Sequence, residues 1–268
     1  MICFPNIKIN IGLDIISKRE DGYHNIETVF YPVRYNDILE IFPSERFELI
    51  NHGIKIDCFL EKNLCYKAYK ILEDNYKIPP VKIILYKNVP YGTGLGAGSS
   101  DAASTLILIN EIYELKISEE KLLYYASQIG ADCAFFIKNK AVIASGVGND
   151  LKEINLDLSG NTLIICIPQI VVNTKIAYQN CKPRIPEKRL EYLIRQPMSQ
   201  WKSTIKNDFE DTVFESFPVL KKIKNELYEN GAIYAQMSGS GSAIFGFFSS
   251  NPRKINLTNC EIFNIFTL

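Results

Sequence analysis

An excess of charge of either sign is missing from this chain. Its 268 residues carry 30 lysines and arginines against 30 aspartates and glutamates. A chain so balanced has no electrostatic footprint for duplex nucleic acid, although a few local cations would still serve a phosphorylated small molecule. Histidine is scarce, with two in all, and the seven cysteines (Cys3, Cys58, Cys65, Cys133, Cys166, Cys181 and Cys260) contain no Cys-x-x-Cys pair. A structural zinc site is therefore not expected, and an odd, unclustered set reads as reduced, buried thiols in a cytosol. Long apolar runs are also absent: none approaches the roughly 20 residues that span a bilayer. The opening "MICFPNIKIN" lacks the apolar core of a signal peptide, so a cytoplasmic protein without membrane partners is expected. No internal repeat or low-complexity tract is visible.

What is present is a hydrophobic share of 47%, enough for a sizeable core in one large domain or two modest ones. "NIKINIGLDII" alternates apolar with polar or small residues, which predicts a strand; Asp-Gly in "KREDGYHN" marks a turn, and "IETVFYPV" returns. "NDILEIFP", "RFELINHG" and "IKIDCF" continue the β pattern, and "VKIILYKNVP" is a short alternating strand. In "NLCYKAYKILEDNY" Leu64, Ala68, Ile71 and Leu72 fall at helical spacing. "DAASTLILINEIYEL" carries a broad apolar helical face, and "SEEKLLYYASQIG" predicts a helix with Ser118 as N-cap and Gly130 just past its end. "KAVIASGVGNDLKEI" suggests strand and turn, and "TLIICIP" a buried strand. Helices are expected in "PEKRLEYLIRQ" and "FPVLKKIKNELYENG", followed by "AIYAQMSGSGSAIFGFF". Strands and helices do not strictly alternate, so the reading is α+β. The pattern breaks near 153–160, which divides the chain into domains at 1–155 and 156–268.

The densest feature is "PYGTGLGAGSSDAA", residues 90–103, with glycine at every second position from Gly92 to Gly98. A strand, then glycines, then serine and helix is a layout for binding phosphate. Backbone N–H groups can approach an anion without a Cβ in the way, and a helix starting near Ser99 and Ser100 adds its dipole and unpaired donors. A serine hydroxyl there could cap the helix, bind phosphate or ligate a metal. Two phosphate motifs fail on spacing: no Gly-Lys-Ser/Thr follows, and G-x-G-x-x-G meets Ala97 or Ser99 at its third glycine. A flexible connector is the plain alternative.

This segment resembles the P-x-x-x-G-L-G-x-G-S-S-x-A-A signature of the GHMP kinases, small-molecule kinases without a P-loop. "PNIKINIGL" resembles the family's first motif and "MSGSGSAIFGFF" its third, in the expected order and across nearly the whole chain. The resemblance implies two domains, an N-terminal one like domain 2 of ribosomal protein S5 and a ferredoxin-like C-terminal one. It also implies ATP with Mg2+, and a monomer or weak homodimer acting on a small molecule. "DGYHNIETVF" and "GADCAFFI" resemble the branch that phosphorylates the C2 hydroxyl of a cytidine-diphosphate-linked methylerythritol in the non-mevalonate isoprenoid pathway. Ile7, Thr93, Ala97 and Ala134 depart from the family pattern, but none removes a charged or nucleophilic group.

By this resemblance Asp132 is the catalytic base and Lys8 its partner. A carboxylate with a reference pKa of about 4 is a weak base toward an alcohol, but it can accept the proton late and orient the hydroxyl. Read without the family, Asp132 is an N-cap of "CAFFIK" and Lys8 a snorkelling strand residue. The loop Pro90, Tyr91, Gly92, Thr93, Gly94, Leu95, Gly96, Ala97, Gly98, Ser99 and Ser100 is assigned to ATP, with closest phosphate approach at Gly94, Gly96 and Gly98. Tyr23 is expected to stack on the cytosine, His24 to bond its edge, and Tyr178 to cover the opposite face, although Tyr178 also reads as a helix core residue. Asn10, two steps from Lys8 and on the same strand face, is expected to contact substrate. Gly239 and Ser240 are peripheral. No residue is assigned as a metal ligand. Competing readings are a homoserine or mevalonate kinase of the same family, a nucleotide-binding regulator without catalysis, and a serine hydrolase using Ser99 or Ser100. The last lacks G-x-S-x-G around these serines.

Overall fold

The computed structural model describes residues 1–252, 255–260 and 263–268. In chain order its strands and helices are β1 (Ile2–Cys3), β2 (Asn6–Lys18), β3 (His24–Asn36), β4 (Ile38–Pro43), β5 (Glu48–Gly53), α1 (Leu64–Tyr76), β6 (Val81–Lys87), α2 (Ala97–Ile112), α3 (Glu119–Ile129) and α4 (Cys133–Lys138). There follow β7 (Val142–Ser145), β8 (Asp150–Glu153), β9 (Thr162–Cys166), α5 (Thr174–Asn180), α6 (Leu190–Leu193), α7 (Met198–Thr204), α8 (Phe209–Ser216), α9 (Pro218–Glu229), β10 (Tyr234–Met237), β11 (Ile244–Phe248) and β12 (Phe263–Thr267). They form two compact units that interleave along the chain: Met1–Lys8, Pro32–Tyr91 and Gly96–Lys140 in the first, Ile9–Tyr31, Gly92–Leu95 and Ala141–Leu268 in the second.

The first unit holds a sheet of order β1-β4-β6-β5. β4 is antiparallel to β1 and β6, and β5 runs parallel to β6 with Ile50 opposite Ile84. β6 shows period two cleanly: Val81, Ile83, Leu85 and Lys87 are buried, while Lys82, Ile84 and Tyr86 are more exposed. α1 packs along α2, and α2 on β4. Asn63 caps α1 by accepting the Cys65 amide, and the buried face is Cys65, Ala68, Tyr69 and Leu72, rotated slightly from the predicted one. Ser118 caps α3 as expected, and Gly130 follows its last residue.

In the second unit a fully antiparallel sheet has order β10-β11-β9-β12, with Ile164 between Gly246 and Ile265. Helix α9 starts at Pro218, whose missing N–H costs nothing in a first turn. Its Leu220, Ile223 and Leu227 share a core with Ile164, Cys166, Ile244 and Phe248. A third sheet has order β2-β3-β7-β8, with Val29 opposite Ile143.

Three expectations change. "IKIDCF" is not a strand. Gly53 turns the chain at φ +73°, where a Cβ would stand 2.2 Å from the Lys87 carbonyl oxygen, and the chain leaves the sheet there. The helix in "PEKRLEYLIRQ" is only Leu190–Leu193, because Pro197 downstream cannot continue it. Helix α2 begins at Ala97 rather than near the serines. Helix α5 carries Tyr178, as the helical reading of that residue has it, whereas the short elements α7, α8 and β12 are not among those predicted. All seven cysteines are free thiols; four are buried, but Cys58 is exposed. No helix among the described residues is long and apolar enough to cross a membrane.

Candidate active site

The glycine run is two-faced. Thr93, Leu95, Ala97 and Ser100 are buried, whereas Gly92, Gly94, Gly96, Gly98 and Ser99 keep part of their surface exposed. Pro90 is partly exposed, and Tyr91 exposed. The intervening side chains anchor the segment and leave one backbone face bare. The glycines differ in what an added side chain would meet. Gly94 sits at φ +79°, where a Cβ would come within 2.0 Å of the Ser238 carbonyl oxygen. Gly96, at φ +72°, packs its bare Cα over Phe136 and the Lys8 Cε. Gly98 is helical and has only Leu64 Cδ1 nearby, at 3.8 Å from a built Cβ. Gly96 is also the N-cap of α2 and has no side chain to accept a cap bond from the first-turn amides. The first amides of α2 thus have no capping side chain, which is the arrangement that favours an anion.

In the first unit this helix start is accompanied by an ion pair. Lys8 Nζ lies 3.3 Å from Asp132 Oδ2; the lysine side chain is 3% exposed and the aspartate 33%. Asp132 occupies the N-cap position of α4 but makes no side-chain cap bond. Its carboxylate is directed to Lys8 instead, and Lys8 does not snorkel. Asp132 thus keeps the N-cap position expected of it without the capping bond, and the snorkelling reading of Lys8 is set aside. Beside them burial pushes the Cys133 thiol up to about 12.

Asn10 belongs to a neutral network in the second unit. Its N–H donates to Ser238 Oγ at 3.1 Å and its Nδ2 to Thr28 Oγ1 at 3.0 Å. Ser238 Oγ donates in turn to the Gly94 carbonyl at 2.9 Å, and the Ala243 amide to the Thr93 carbonyl at 3.0 Å. Asn207 Nδ2 donates to the carbonyls of Met237 and Gly239, both at 2.8 Å. The "MSGSGS" loop is thus stitched to Gly92–Leu95. Gly239 lies against Asn10, and the Ser240 hydroxyl meets that of Thr174 at 2.8 Å. Ser238 and Asn207 were not singled out from sequence. Ser238 stood beside the assigned Gly239, and Asn207 looks like an ordinary cap, since its Oδ1 also accepts the Phe209 amide.

Two of the aromatic residues assigned to the base lie together. His24 and Tyr178 stack at 5.0 Å between centroids and 17° between planes, and Tyr178 stands edge-on to Phe209 at 4.8 Å. Burial, with a smaller push from Lys18, holds His24 below its ordinary value, so its imidazole is neutral at pH 7. Tyr23 stands 66% exposed at the end of a turn in which Asp21 accepts the Tyr23 amide and pairs with Arg19. It is His24, not Tyr23, that lies on Tyr178.

Comparison with known proteins fits this geometry. Residues 63–140 match the GHMP kinases N terminal domain and residues 190–259 the GHMP kinases C terminal domain. The chain is 51% identical over 257 residues to 4-diphosphocytidyl-2-C-methyl-D-erythritol kinase of Bacteroides fragilis, covering 94% of each. A crystal structure of 4-(cytidine 5'-diphospho)-2C-methyl-D-erythritol kinase superposes with a TM-score of 0.78 at 32% identity, over 92% of this chain and 89% of that one. Homoserine kinase from Cytophaga hutchinsonii shares the fold alone, with a TM-score of 0.69 at 17% identity over 98% and 94%. With both domain matches in order and half of its residues shared with one such kinase, the chain belongs to the GHMP kinase family.

Proposed function

We propose that this protein transfers the γ-phosphoryl group of ATP to the C2 hydroxyl of 4-diphosphocytidyl-2-C-methyl-D-erythritol, giving the 2-phosphate and ADP in the non-mevalonate isoprenoid pathway. The observation that carries the reading is the pair formed by buried Lys8 and the accessible carboxylate of Asp132, close to a helix start without a capping side chain. The identity to a kinase of that name supports the choice of acceptor. A neutral imidazole stacked on a tyrosine suits an uncharged base better than it suits homoserine or mevalonate, which have no ring to stack. A boundary near residue 155 falls between the two matched segments and supports domains at 1–155 and 156–268. We place the protein in the cytoplasm, as a monomer or weak homodimer.

Phosphoryl transfer passes through a loose transition state, so positioning and charge stabilisation do most of the work. The acceptor is a tertiary alcohol, a hindered nucleophile, which raises the demand on orientation. Asp132 accepts a hydrogen bond from the C2 hydroxyl and takes its proton as the O–P bond forms. Lys8 offsets negative charge on the transferring group. The bare face of residues 90–100 and the first amides of α2 hold the phosphates of ATP. Asn10 orients the acceptor, and Tyr23, His24 and Tyr178 hold the cytosine. No group of three or more metal-ligating side chains occurs among the described residues. Mg2+ usually arrives with substrate phosphates and takes one or two protein oxygens. Ser99 and Asp132 would hold the ion, and it would supply neutralisation of the phosphate charge.

The test is coupled ADP release with a panel of alcohols. Turnover is expected with the cytidine-diphosphate-linked alcohol. Turnover of homoserine or mevalonate without it would reject the reading.

A further inference from the structure

The search for function outside the pair Lys8–Asp132 leads to a second buried lysine. Lys87 closes β6, the strand that enters the glycine segment, and its side chain is 2% exposed. Its Nζ bonds Asp37 and, at 2.8 Å, Asp101 Oδ2; these carboxylates are 1% and 2% exposed. Asp101 stands on α2, the helix that leaves the glycine segment. The other oxygen of Asp37 accepts the amides of Asn88 at 2.7 Å and Val89 at 2.9 Å, the first two residues after β6. Asp37 itself lies between β3 and β4. One cation therefore ties the strand before the loop to the helix after it, and one carboxylate holds the loop's first residues.

We infer that Asp37, Lys87 and Asp101 are positioning residues for the phosphate donor: they set the distance and direction between the end of β6 and the start of α2, and so the shape of the backbone cradle. The inference rests on the kinase reading above. A buried cluster placed only for stability would be an expensive choice, because two carboxylates and one ammonium lose their hydration together. Asp101 Oδ1 is buried without a hydrogen-bond partner, a further cost. Burial pushes the Asp101 carboxyl up, to about 7, against the pull of Lys87. Such a cluster makes sense where geometry at its ends matters.

The decisive variant is Asp101→Leu. It keeps roughly the volume, leaves Asp37 and Lys87 as a balanced pair, and cuts only the tie to α2. The protein should fold, with its melting temperature little changed. KM for ATP should rise roughly tenfold through misplacement of the cradle, with KM for the acceptor within about twofold of the wild type. Binding of AMP-PNP, measured by calorimetry without any acceptor, should weaken in parallel. An unchanged affinity for ATP in the folded variant overturns the inference, as does an equal loss for both substrates. Should the variant not fold, hydrogen exchange in the wild type decides. The amides of Asn88 and Val89 should be as protected as those of β6, and rapid exchange there overturns the inference. A wild type that binds AMP-PNP but ignores the acceptor would count against the proposed acceptor alone, since the calorimetric arm reads the cradle directly.

Discussion

Two lysines of this protein are buried to the same degree and are set to opposite tasks. Lys8 and Lys87 are each 2% exposed. Lys8 faces the carboxylate of Asp132, which is one-third open to solvent. Lys87 faces two carboxylates, and both are shut away with it. A reacting group can reach the first pair but not the second. The difference teaches that burial of a cation does not by itself mark a reaction centre. What marks it is an accessible partner whose bonds are not used up by the fold. Asp132 meets that condition: it sits at a helix N-cap position and leaves the capping bond unmade. Asp37 does not, because its second oxygen is spent on two backbone amides.

The largest effect expected from this contrast is on turnover. Asp132→Asn should lower kcat by about 10²–10⁴-fold with the melting temperature nearly unchanged, since the lost pair is partly solvated. Steady-state kinetics beside a thermal melt would check it. A variant that keeps near-normal kcat would take the role of base away from Asp132.

Next in size is a difference in stability between the two lysines. Lys87→Met strands two buried carboxylates and should cost about 3–5 kcal/mol, or roughly 10 °C in melting temperature for a chain of this size. Lys8→Met leaves a carboxylate that water can reach and should cost no more than about 1 kcal/mol, while kcat falls steeply. If both substitutions destabilise equally, the contrast between an architectural and a chemical lysine is lost.

The glycines offer a third way to sharpen the comparison. At Gly94 an added methyl meets a carbonyl oxygen at 2.0 Å and a positive φ, so Gly94→Ala should cost about 2 kcal/mol or more. At Gly98 the nearest atom is 3.8 Å away and the residue is helical. Gly98→Ala should therefore leave stability unchanged or raise it by about 0.5–1 kcal/mol. If the exposed backbone of Gly98 faces phosphate, the same substitution should raise KM for ATP. Melting curves and KM for ATP on both variants would separate a glycine needed by the fold from one needed by the ligand.

How much of this was legible in the sequence depends on what each residue touches. The strand phase of "VKIILYK" put Lys87 on the same side as Val81, Ile83 and Leu85, so a buried lysine was there to be read. Its two partners, at positions 37 and 101, gave no such sign. In "NIKIN" the phase misleads: Lys8 and Asn10 alternate with isoleucines as if facing water, yet both are buried. Period two reports two faces, not which of them is wet. The glycine spacing announced a bare backbone, but for Gly94 the physical reason is Ser238, far along the chain and beyond the reach of local pattern. The network through Ser238 and Asn207 was illegible for the same cause: Ser and Asn in loops look alike whether they hold a turn or a neighbouring loop. The strong strands and helices were plain because each carries its period within itself.

The smallest effect lies in the aromatic pair, where burial does most to set the charge of the imidazole. Burial, and then Lys18, holds His24 below its ordinary value near 6.5. Between the folded and unfolded values the unfolded chain binds more protons. The group's contribution to stability is therefore present above about 6.5 and lost as pH falls through the folded value. If the neutral ring on Tyr178 is the form that meets the cytosine, KM for the acceptor should stay flat from about pH 8 down to 6.5 and rise a few-fold below. KM for ATP should not follow it, because His24 and the glycine segment answer to different ligands. His24→Asn cannot titrate and should remove the rise while keeping a polar group at the base edge. A wild-type KM for the acceptor that stays flat across the whole range would take the imidazole out of base recognition and leave Tyr23 and Tyr178 to do it alone.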